Sequence, residues 1–364
     1  MLSLRVVENT EVKVKLRYHE FTEGKIRISL DALPMLKKAH YGVYGHATVE
    51  LCHWTKSALT GGPSCYKVKF YGAPVGGSHR CVEMGPVGMM CSNKCIYCWR
   101  PSESFDPYEP MSQEVMDPVD MVNGILKERK RLLSGYFGHA KSSRVKVNEA
   151  LQPTHWAISL SGEPTMYPRL PELIKYIKSL PNTKSVFLVT NGLYPEMIEK
   201  LWREDALPTQ LYLSLNAPNK ELFLKIANPV IHRDDAWERV LRSLELLAKI
   251  PTRTVVRITL IKGWNTGSEL LDQFAEVLSI GNPHFIEPKS YMHLGHSVYK
   301  LSKFNMLRHE EVKEWSLSLL KALNSRGLRY VFMDEDPNSR ITVLQNMDRY
   351  VDRWIEKPSN GVNP

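Results

Sequence analysis

Hydrophobic and polar positions follow two regular patterns over the part of the chain after residue 150. Short runs rich in β-branched and aromatic residues predict strands at HWAISL, KSVFLV, QLYLSL, TVVRITL, HFIEPK and RYVFM. Between these runs, apolar residues recur at helical spacing in RLPELIKYIKSL, PEMIEKLWRE, DDAWERVLRSLELLAK, SELLDQFAEVLS and HEEVKEWSLSLLKAL. Because strands and helices alternate, we expect an α/β fold with a parallel sheet covered by helices.

The number of elements is consistent with a partial or complete (β/α) barrel, whose chemistry would lie at the carboxyl ends of its strands. A first strand is predicted at VGMM, just before Cys91. The chain before it shows no dominant period, with an alternating stretch VKVKLRYHE and a short basic helix around residues 36–38. We therefore predict a cysteine-bearing N-terminal extension over residues 1–84, a barrel over residues 85–335 and a helical tail over residues 336–364.

The charge of the chain favours a polyanionic partner such as RNA. It has 48 basic and 39 acidic residues, which give a net charge of +9. An ordinary basic surface explains this net charge equally well. The basic run KERKRLL at residues 127–133 can likewise be either an RNA contact or a solvated helix face. The N-terminus shows no signal pattern, and no uncharged apolar run could span a bilayer, so we expect a cytoplasmic protein without membrane contact.

All six cysteines lie between residues 52 and 98. Cysteines that only filled a core would be scattered, so this grouping indicates a common purpose. Disulfides are rare in a chain of this kind, which leaves metal ligation as the leading interpretation.

The segment CSNKCIYC places Cys91, Cys95 and Cys98 in a CX3CX2C spacing after the predicted strand. Structural zinc normally closes a four-ligand tetrahedron, so three thiols are an unusual zinc set. A cubane iron-sulfur cluster bound by three cysteines keeps one iron open to another molecule. Structural zinc remains the alternative.

Cys52, Cys65 and Cys81 have twelve and fifteen residues between them, which matches no zinc-finger spacing. Three more thiols favour a second cluster with one open iron. The alternatives are a zinc ion completed by His53 or His79, and thiols that bind no metal.

The CX3CX2C loop resembles that of the radical S-adenosylmethionine (SAM) superfamily, which implies that SAM chelates the open iron and is cleaved to a 5′-deoxyadenosyl radical. The segment SGEPT resembles the glycine-glycine-glutamate element of that superfamily, with Ser161 in place of the first glycine. The resemblance implies SAM contacts near the ends of successive strands, from Tyr97, Ser161, Gly162, Glu163, Thr190, Asn191, Ser214 and Asn216.

The longer pattern CHWTKSAL, CYKVKFYG, SHRC and CSNKCIYCWRP, continued by SGEPT, TNG and LSLNAP, resembles the archaeal tRNA 4-demethylwyosine synthases. In that family twelve residues separate the second and third upstream cysteines, whereas this chain has fifteen. The extra length falls in the glycine-rich GAPVGG, where a longer loop costs little free energy.

This family resemblance implies a radical carbon-carbon lyase with two [4Fe-4S] clusters. The family condenses N1-methylguanosine of tRNA(Phe) with pyruvate to form the tricyclic wyosine core. Lys67 is the implied catalytic residue. Either Lys67 forms a Schiff base with pyruvate, or the open iron of the second cluster chelates pyruvate and Lys67 pairs with the negative charge of pyruvate. A monomer that receives electrons from an external one-electron donor is expected.

RNA contacts would come from phosphate-binding cations and from aromatic rings that stack on bases. The nearest candidates are Lys56, Lys69, Arg80, Arg100 and the KERKR run, with Trp54 and Trp99 as platforms or as core residues. Two other functions remain open. One is a radical SAM enzyme that acts on a peptide or a small metabolite, and the other is a zinc-bearing RNA-binding module without catalytic activity.

Overall fold

The computed structural model of the protein describes residues 16–356, so residues 12–15 of the predicted alternating stretch and residues 357–364 of the predicted tail lie outside the described residues. The strands are β1 His19–Thr22, β2 Lys25–Ile28, β3 Gly42–Tyr44, β4 Ala47–Glu50, β5 Cys81–Gly85, β6 His155–Ile158, β7 Ser185–Thr190, β8 Gln210–Ser214, β9 Arg253–Leu260, β10 Phe285–Ser290, β11 Tyr330–Asp336 and β12 Ile341–Asn346. The helices are α1 Leu33–Lys38, α2 His53–Leu59, α3 Tyr66–Tyr71, α4 Pro118–Ser134, α5 Arg144–Ala150, α6 Leu170–Ser179, α7 Pro195–Arg203, α8 Lys220–Ala227, α9 Ala236–Lys249, α10 Leu271–Gly281 and α11 His309–Ser325.

Six neighbouring parallel strands, β5 to β10 in chain order, form the centre of a ten-stranded sheet. Antiparallel strands extend both edges, β4 and β3 beside β5, and β12 and β11 beside β10. No pairing in residues 16–356 joins β3 to β11, so the partial barrel is the form observed. The α/β class is confirmed. The predicted parallel arrangement is confirmed for the six central strands. At the edges it is wrong, because the short connections between β3 and β4 and between β11 and β12 can only join antiparallel strands.

The helices cover the sheet with apolar stripes, as α6 illustrates. Leu170, Leu173, Ile174 and Ile177 recur at helical spacing in α6 and are fully buried. Burying each of these side chains contributes about 2 kcal/mol. The six strands and five helices predicted after residue 150 all form, which confirms the alternation. None of the helices in residues 16–356 is long and apolar enough to cross a lipid bilayer.

The strand predicted at VGMM is wrong, since residues 87–89 form a turn, Met90 makes only an isolated bridge to Asp106, and the first parallel strand is β5. Pro86 has no N–H group to continue a sheet ladder. A Cβ atom on Gly88 would lie 2.4 Å from the Thr48 side chain, so the chain turns closely against β4. Cys81 is therefore the first residue of a barrel strand, and the barrel begins inside the segment predicted as an extension.

The helical tail predicted after residue 336 is wrong for the described residues 336–356, which contain β12 and no helix. The sequence ITVLQN is rich in β-branched residues and is buried throughout, which suits a strand between two others. The segment after β12 contacts α3: Ile355 N–H donates to Tyr71 O at 2.8 Å, and Arg353 Nε donates to Phe70 O at 3.1 Å. This end of the chain thus holds α3 against the barrel.

Candidate functional site

The loop of residues 91–98 carries three cysteines and lies beyond the carboxyl end of β5. The N–H groups of Lys94 and Ile96 donate to carbonyls at the carboxyl end of α8, each at 3.0 Å. The Lys300 amino group donates to Cys95 O at 2.8 Å. These contacts fix the loop beside the strand ends, where the spacing predicted a cluster.

All six cysteines are free thiols, so the disulfide alternative is wrong. Burial raises the pKa of every one of them, and it raises the pKa of Cys52 and Cys95 to about 12. Neighbouring thiols raise these values further, Cys98 for Cys95 and Cys65 for Cys52. Buried thiols become thiolates at neutral pH when a metal binds them. Two groups of three partly buried soft ligands therefore fit iron-sulfur clusters.

The zinc alternatives depend on histidines that have other contacts in the structure. His79 Nε2 lies 2.7 Å from the Glu149 carboxylate, and the His53 ring packs edge-on against Trp54. In the described part of the chain, no three His, Cys, Asp or Glu side chains are gathered around one ion. A cubane separates its ligands more widely than a single ion does, because each ligand binds a different iron atom.

A small cavity lies beside the cluster loop and is lined by Tyr97, Asn191, Ser214 and Asn216. All four were predicted to contact SAM. They come from the loop and from the carboxyl ends of β7 and β8, which meet at one edge of the barrel. Asn216 donates from Nδ2 to the Tyr97 hydroxyl, and its Oδ1 accepts from Thr259 N–H at 2.6 Å.

Asn93 also lines this cavity, and the sequence analysis missed it. Its Oδ1 atom is buried and has no hydrogen-bond partner. A buried acceptor without a partner is rare, because leaving it unpaired costs about 1–3 kcal/mol. A ligand that carries N–H or O–H donors, such as the amino group and ribose of SAM, fits this position. Only its place inside the CX3CX2C spacing could have identified Asn93 in the sequence.

Glu163 does not line the cavity, although the resemblance implied that it holds the SAM amino group. Its carboxylate accepts from the N–H and hydroxyl of Thr165, from the Thr190 hydroxyl at 2.7 Å and from Asn191 N–H at 2.8 Å. Three of these donors bind Oε1 and one binds Oε2, so Oε2 can accept a further hydrogen bond. Burial raises the pKa of Glu163, while the same hydrogen bonds lower it. In this arrangement Glu163 and Thr190 join the loops that follow β6 and β7.

The serine that replaces the first glycine of the family element is readily accommodated. Ser161 Oγ lies 3.0 Å from Thr48 Oγ1 on β4. The next position does require glycine, because Gly162 has φ +78° and a Cβ there would lie 2.2 Å from Val87 O. The close backbone approach thus occurs at Gly162, and Ser161 serves as a contact to β4.

The upstream cysteines come from three elements: Cys52 and Cys65 precede α2 and α3, and Cys81 begins β5. Ser78 connects them. Its Oγ accepts from Cys65 N–H at 2.7 Å, and its carbonyl accepts from the Thr55 hydroxyl at 2.9 Å. Thr55 N–H in turn donates to the Cys52 sulfur at 3.4 Å. The lengthened loop therefore still returns to both other cysteine segments.

Arg129 supports the same region, a role not predicted from the sequence, where its basic run was interpreted either as a solvated helix face or as an RNA contact. The side chain is buried, and its guanidinium donates to His79 O at 2.8 Å, to Cys81 O at 3.0 Å and to Ala150 O. Burial lowers the pKa of Arg129 to about 10, so it stays charged at neutral pH. A fixed positive charge thus lies behind Cys81.

Arg129→Met is expected to reduce the bound iron by about half and the free energy of unfolding by about 3 kcal/mol, because three buried carbonyls lose their donor. Iron per chain after anaerobic reconstitution and urea denaturation measure the two effects. Lys130→Met, the exposed neighbour, is the control. Full iron content in the Arg129 variant would exclude this positioning role.

Lys67 lies in α3 and points into the barrel. Its Nζ is 4.9 Å from the ring centre of Phe187 on β7 and 5.0 Å from that of Tyr212 on β8. Burial raises the pKa of Cys65 and Cys81, and the Lys67 charge counteracts this for both. Lys67 therefore lies between the upstream cysteines and the inner surface of the sheet.

A buried ion pair lies on the inner face of β9 and β10. Arg257 donates to the Glu287 carboxylate at 2.7 Å and to the Tyr66 hydroxyl at 2.6 Å. Its guanidinium also lies 4.8 Å from the Tyr212 ring, which Lys67 contacts. This ion pair could not be predicted from the sequence, because a strand pattern does not show which charged residues meet inside a barrel.

Cations gather around Cys65. Burial raises the pKa of Cys65, while Lys67, Arg257 and Lys289 each lower it. Lys289 lies on β10, donates to Ser339 O at 2.7 Å, and has its pKa lowered by burial to about 8. This concentration of positive charge can bind a small carboxylate.

Most of the cations predicted to contact RNA are held by the chain itself. Arg100 is buried and pairs with Glu50 at 2.7 Å. Lys56 and Lys69 lie in ion pairs of 3.4 and 3.0 Å, and Arg80 donates to a backbone carbonyl at 3.3 Å. Three of these four cations are therefore paired with a carboxylate of the chain, whereas Arg80 keeps its charge.

The other predicted RNA contacts differ in exposure. In the KERKR run of α4, Lys127 and Lys130 are exposed, whereas Arg131 pairs with Glu128 at 2.8 Å. Trp99 is 45% exposed and Trp54 is half-buried, so neither is a core residue.

The chain matches the radical SAM superfamily over residues 86–274 and the wyosine base formation family over residues 280–346. It is 42% identical to S-adenosyl-L-methionine-dependent tRNA 4-demethylwyosine synthase of Pyrococcus horikoshii, over 86% of this chain and 88% of the relative. The synthase of Methanocaldococcus jannaschii is 38% identical over 87% of this chain and 96% of the relative.

Two solved structures are similar over the same extent. The structure of TYW1 with a lysine-pyruvate adduct bound aligns with a TM-score of 0.77 at 35% identity, covering 90% of this chain and 99% of that chain. The crystal structure of archaeal TYW1 aligns with a TM-score of 0.69 at 32% identity, with the same coverage. The chain therefore belongs to the radical SAM superfamily and, within it, to the family of tRNA 4-demethylwyosine synthases.

Proposed function

We propose that this enzyme forms the tricyclic 4-demethylwyosine base in tRNA(Phe) from N1-methylguanosine beside the anticodon, with pyruvate and SAM as co-substrates. The observation that carries the proposal is the position of Lys67, inside the barrel and next to Cys65. The protein whose structure holds a lysine-pyruvate adduct is 35% identical to this chain. A lysine at this place is suited to the same condensation.

Cys91, Cys95 and Cys98 would hold one [4Fe-4S] cluster, which together with SAM supplies a 5′-deoxyadenosyl radical when both are bound. The residues around the small cavity would orient SAM, and Asn93 would accept a hydrogen bond from it. Phe223 and Ile226 form an apolar wall that excludes water from the radical.

Cys52, Cys65 and Cys81 would hold a second [4Fe-4S] cluster, supported from behind by Ser78 and Arg129. Two of these thiols, Cys65 and Cys81, lie near Lys67, whose charge lowers the pKa of both against the effect of burial. The second cluster would therefore lie beside the keto acid, and the SAM cavity lies toward the carboxyl ends of the strands. Such an arrangement places the methyl group of the base between the radical source and the bound keto acid.

Of the two ways to hold pyruvate, we favour the Schiff base. The Lys67 amine adds to the ketone carbon of pyruvate and water leaves, which forms an imine. The rings of Phe187 and Tyr212 keep the Lys67 chain extended toward the barrel axis. The carboxylate of pyruvate then needs a cation. Arg257 can supply it, because Glu287 and Tyr66 hold its guanidinium beside the Tyr212 ring.

Arg257→Gln is expected to raise the KM for pyruvate about 30-fold, because one charge-assisted hydrogen bond contributes about 2 kcal/mol. Steady-state kinetics at saturating tRNA and SAM measure the change. Arg253→Gln is the matched control on the same strand, since its guanidinium is held by Gln210 and by backbone carbonyls. An unchanged KM in the Arg257 variant would assign the carboxylate to another group.

The proposed function is tested by anaerobic incubation of the reconstituted enzyme with reductant, SAM, pyruvate and tRNA(Phe) that contains N1-methylguanosine. We expect mass spectrometry of the digested nucleosides to show the tricyclic base, with both added carbons from pyruvate. Cleavage of SAM without any change in the nucleoside would favour a peptide or metabolite substrate. A colourless protein that contains zinc would favour the RNA-binding module.

We further propose that an external one-electron donor reduces the clusters, and that the enzyme acts as a cytoplasmic monomer. Size-exclusion chromatography with light scattering of the reconstituted enzyme should give a mass near 41.8 kDa. A dimer mass that persists on dilution would contradict the monomer.

A further inference from the structure

Two aromatic side chains stand far out of the protein surface. Tyr299 is 82% exposed and Phe304 is 89% exposed, the highest values among the large hydrophobic residues in the described part of the chain. An isolated exposed hydrophobic residue needs no explanation, but two large rings five positions apart do. Both lie between β10 and α11, in residues 291–308, which we name the rim segment.

The rim segment is rigidly attached to the site. His296 N–H donates to Trp99 O at 2.9 Å, directly after the cluster loop. The Lys300 amino group donates to Cys95 O, within that loop. Tyr291 and Leu301 are buried in a cluster against which Tyr97 of the SAM cavity packs. The segment therefore forms part of the carboxyl rim of the barrel, beside the cavity.

Local hydrogen bonds hold the tip that carries Phe304. The neighbouring Asn305 side chain accepts from Ser302 N–H at 2.8 Å and donates to Lys262 O at 2.9 Å, in the loop after β9. Trp264 of that loop is 38% exposed, and Trp99 is 45% exposed. Four exposed aromatic rings thus follow one rim, on backbone that is already ordered.

The charge of the rim segment has one sign. Its 18 residues contain no Asp or Glu, but they include Lys300, Lys303, Arg308, His293 and His296. Lys300 pairs with Glu103, and Arg308 lies 3.6 Å from Glu311. Lys303 is exposed and has no ion-pair partner in residues 16–356. The surface is therefore basic and aromatic together.

We propose that the rim segment, with Trp99, binds the anticodon loop of the tRNA substrate. Tyr299 and Phe304 stack on unpaired bases of that loop, and Lys303 and Arg308 contact its phosphates. This inference rests on the proposed function, because it requires an RNA whose target base must leave its stack and enter the barrel mouth.

An RNA loop fits these features better than an acidic protein does. Single protruding rings present two faces, and each face can stack on a base. Unpaired loop bases are the part of an RNA that proteins recognise by stacking on aromatic side chains. Leu294 and Val298 of the rim segment are also exposed, but the segment carries Lys300, Lys303 and Arg308 and no acidic residue, which suits the phosphates of an RNA.

The test is the affinity of the reconstituted enzyme for tRNA(Phe) containing N1-methylguanosine, measured by filter binding at two salt concentrations. The variants are Tyr299→Ala, Phe304→Ala, the double variant and Lys303→Ala. Tyr350→Ala is the matched control: Tyr350 is 60% exposed and follows β12 at the amino end of the parallel strands. Iron content and melting temperature report whether each variant is folded.

We expect each aromatic substitution to raise Kd about tenfold, since stacking contributes about 1–3 kcal/mol per base. The double variant should lose more, Lys303→Ala should reduce the salt dependence by about one unit of slope, and Tyr350→Ala should bind like the unchanged enzyme. Unchanged Kd values in folded variants would overturn the proposal. Loss of SAM cleavage with a protein reductant, at unchanged Kd, would also overturn it and assign the surface to the electron donor.

Failure of the proposed function is a separate result. If the enzyme binds the tRNA and the aromatic variants weaken that binding, the surface assignment stands whether or not the tricyclic base forms.

Discussion

Lys67→Ala is expected to abolish the trapping of labelled pyruvate by borohydride. It should also lower the rate of formation of the tricyclic base by about two orders of magnitude or more, which is the loss expected when a reacting group is misplaced. The reason is that Lys67 has the only amine that contacts both Phe187 and Tyr212 inside the described barrel. Without it, pyruvate has no covalent anchor. Scintillation counting of the precipitated protein and mass spectrometry of the tRNA nucleosides measure the two effects.

Two further variants make this result specific to the Lys67 amine. Lys67→Arg keeps the positive charge but cannot form an imine, so it should fail in the same way. Lys69→Ala removes the next lysine of α3, which pairs with Asp334 on the protein surface, and should still trap pyruvate. Undiminished trapping in Lys67→Ala would move the Schiff base to another amine, with Lys289 the next to replace. Product formation by Lys67→Arg would favour chelation by the second cluster.

Replacement of one cysteine in each group is expected to separate two functions. Cys95→Ala should abolish formation of 5′-deoxyadenosine, because this thiol belongs to the loop beside the SAM cavity. Cys65→Ala should lose the tricyclic base but retain some uncoupled SAM cleavage, because Cys65 lies on the Lys67 side of the barrel. Chromatography of deoxyadenosine and of digested nucleosides reads both outcomes.

Iron analysis is the control for the cysteine variants. The unchanged enzyme should bind about eight irons per chain, counted as two cubanes, and each cysteine variant should keep about four. If Cys65→Ala lost all SAM cleavage while the Cys91, Cys95 and Cys98 cluster stayed intact, the division between the two groups would be wrong. Eight irons in Cys65→Ala would mean that this thiol is not a ligand.

The second half of the fold could be predicted from the sequence because each element there carries its own signal. The stripe of Leu170, Leu173, Ile174 and Ile177 defines α6 without reference to any other part of the chain. In the segments around VGMM and after residue 336, the local pattern did not predict the correct elements. Pro86 directly precedes the run VGMM, which resembles a strand but does not form one. Ile341–Asn346 forms a strand because β10 and β11 pair with it on its two sides.

The candidate site divides in the same way. The spacing of Cys91, Cys95 and Cys98 indicated a cluster loop, since ligand spacing is a property of a short stretch of chain. Arg129, by contrast, holds carbonyls about fifty residues away, and Arg257 bonds to Tyr66 across 191 residues. No pattern in one sequence indicates such partners.

The sequence by itself determined the alternation of strands and helices, two groups of three thiols, and the side chains at the strand ends that line the cavity beside the cluster loop. These features depend on spacing along the chain, which covalent geometry converts directly into local structure. Only the tertiary structure decided that Glu163 joins the loops after β6 and β7, that Lys67 and Arg257 face one ring, and that Tyr299 and Phe304 remain uncovered. Those outcomes depend on how the sheet curves and which distant side chains it brings into contact.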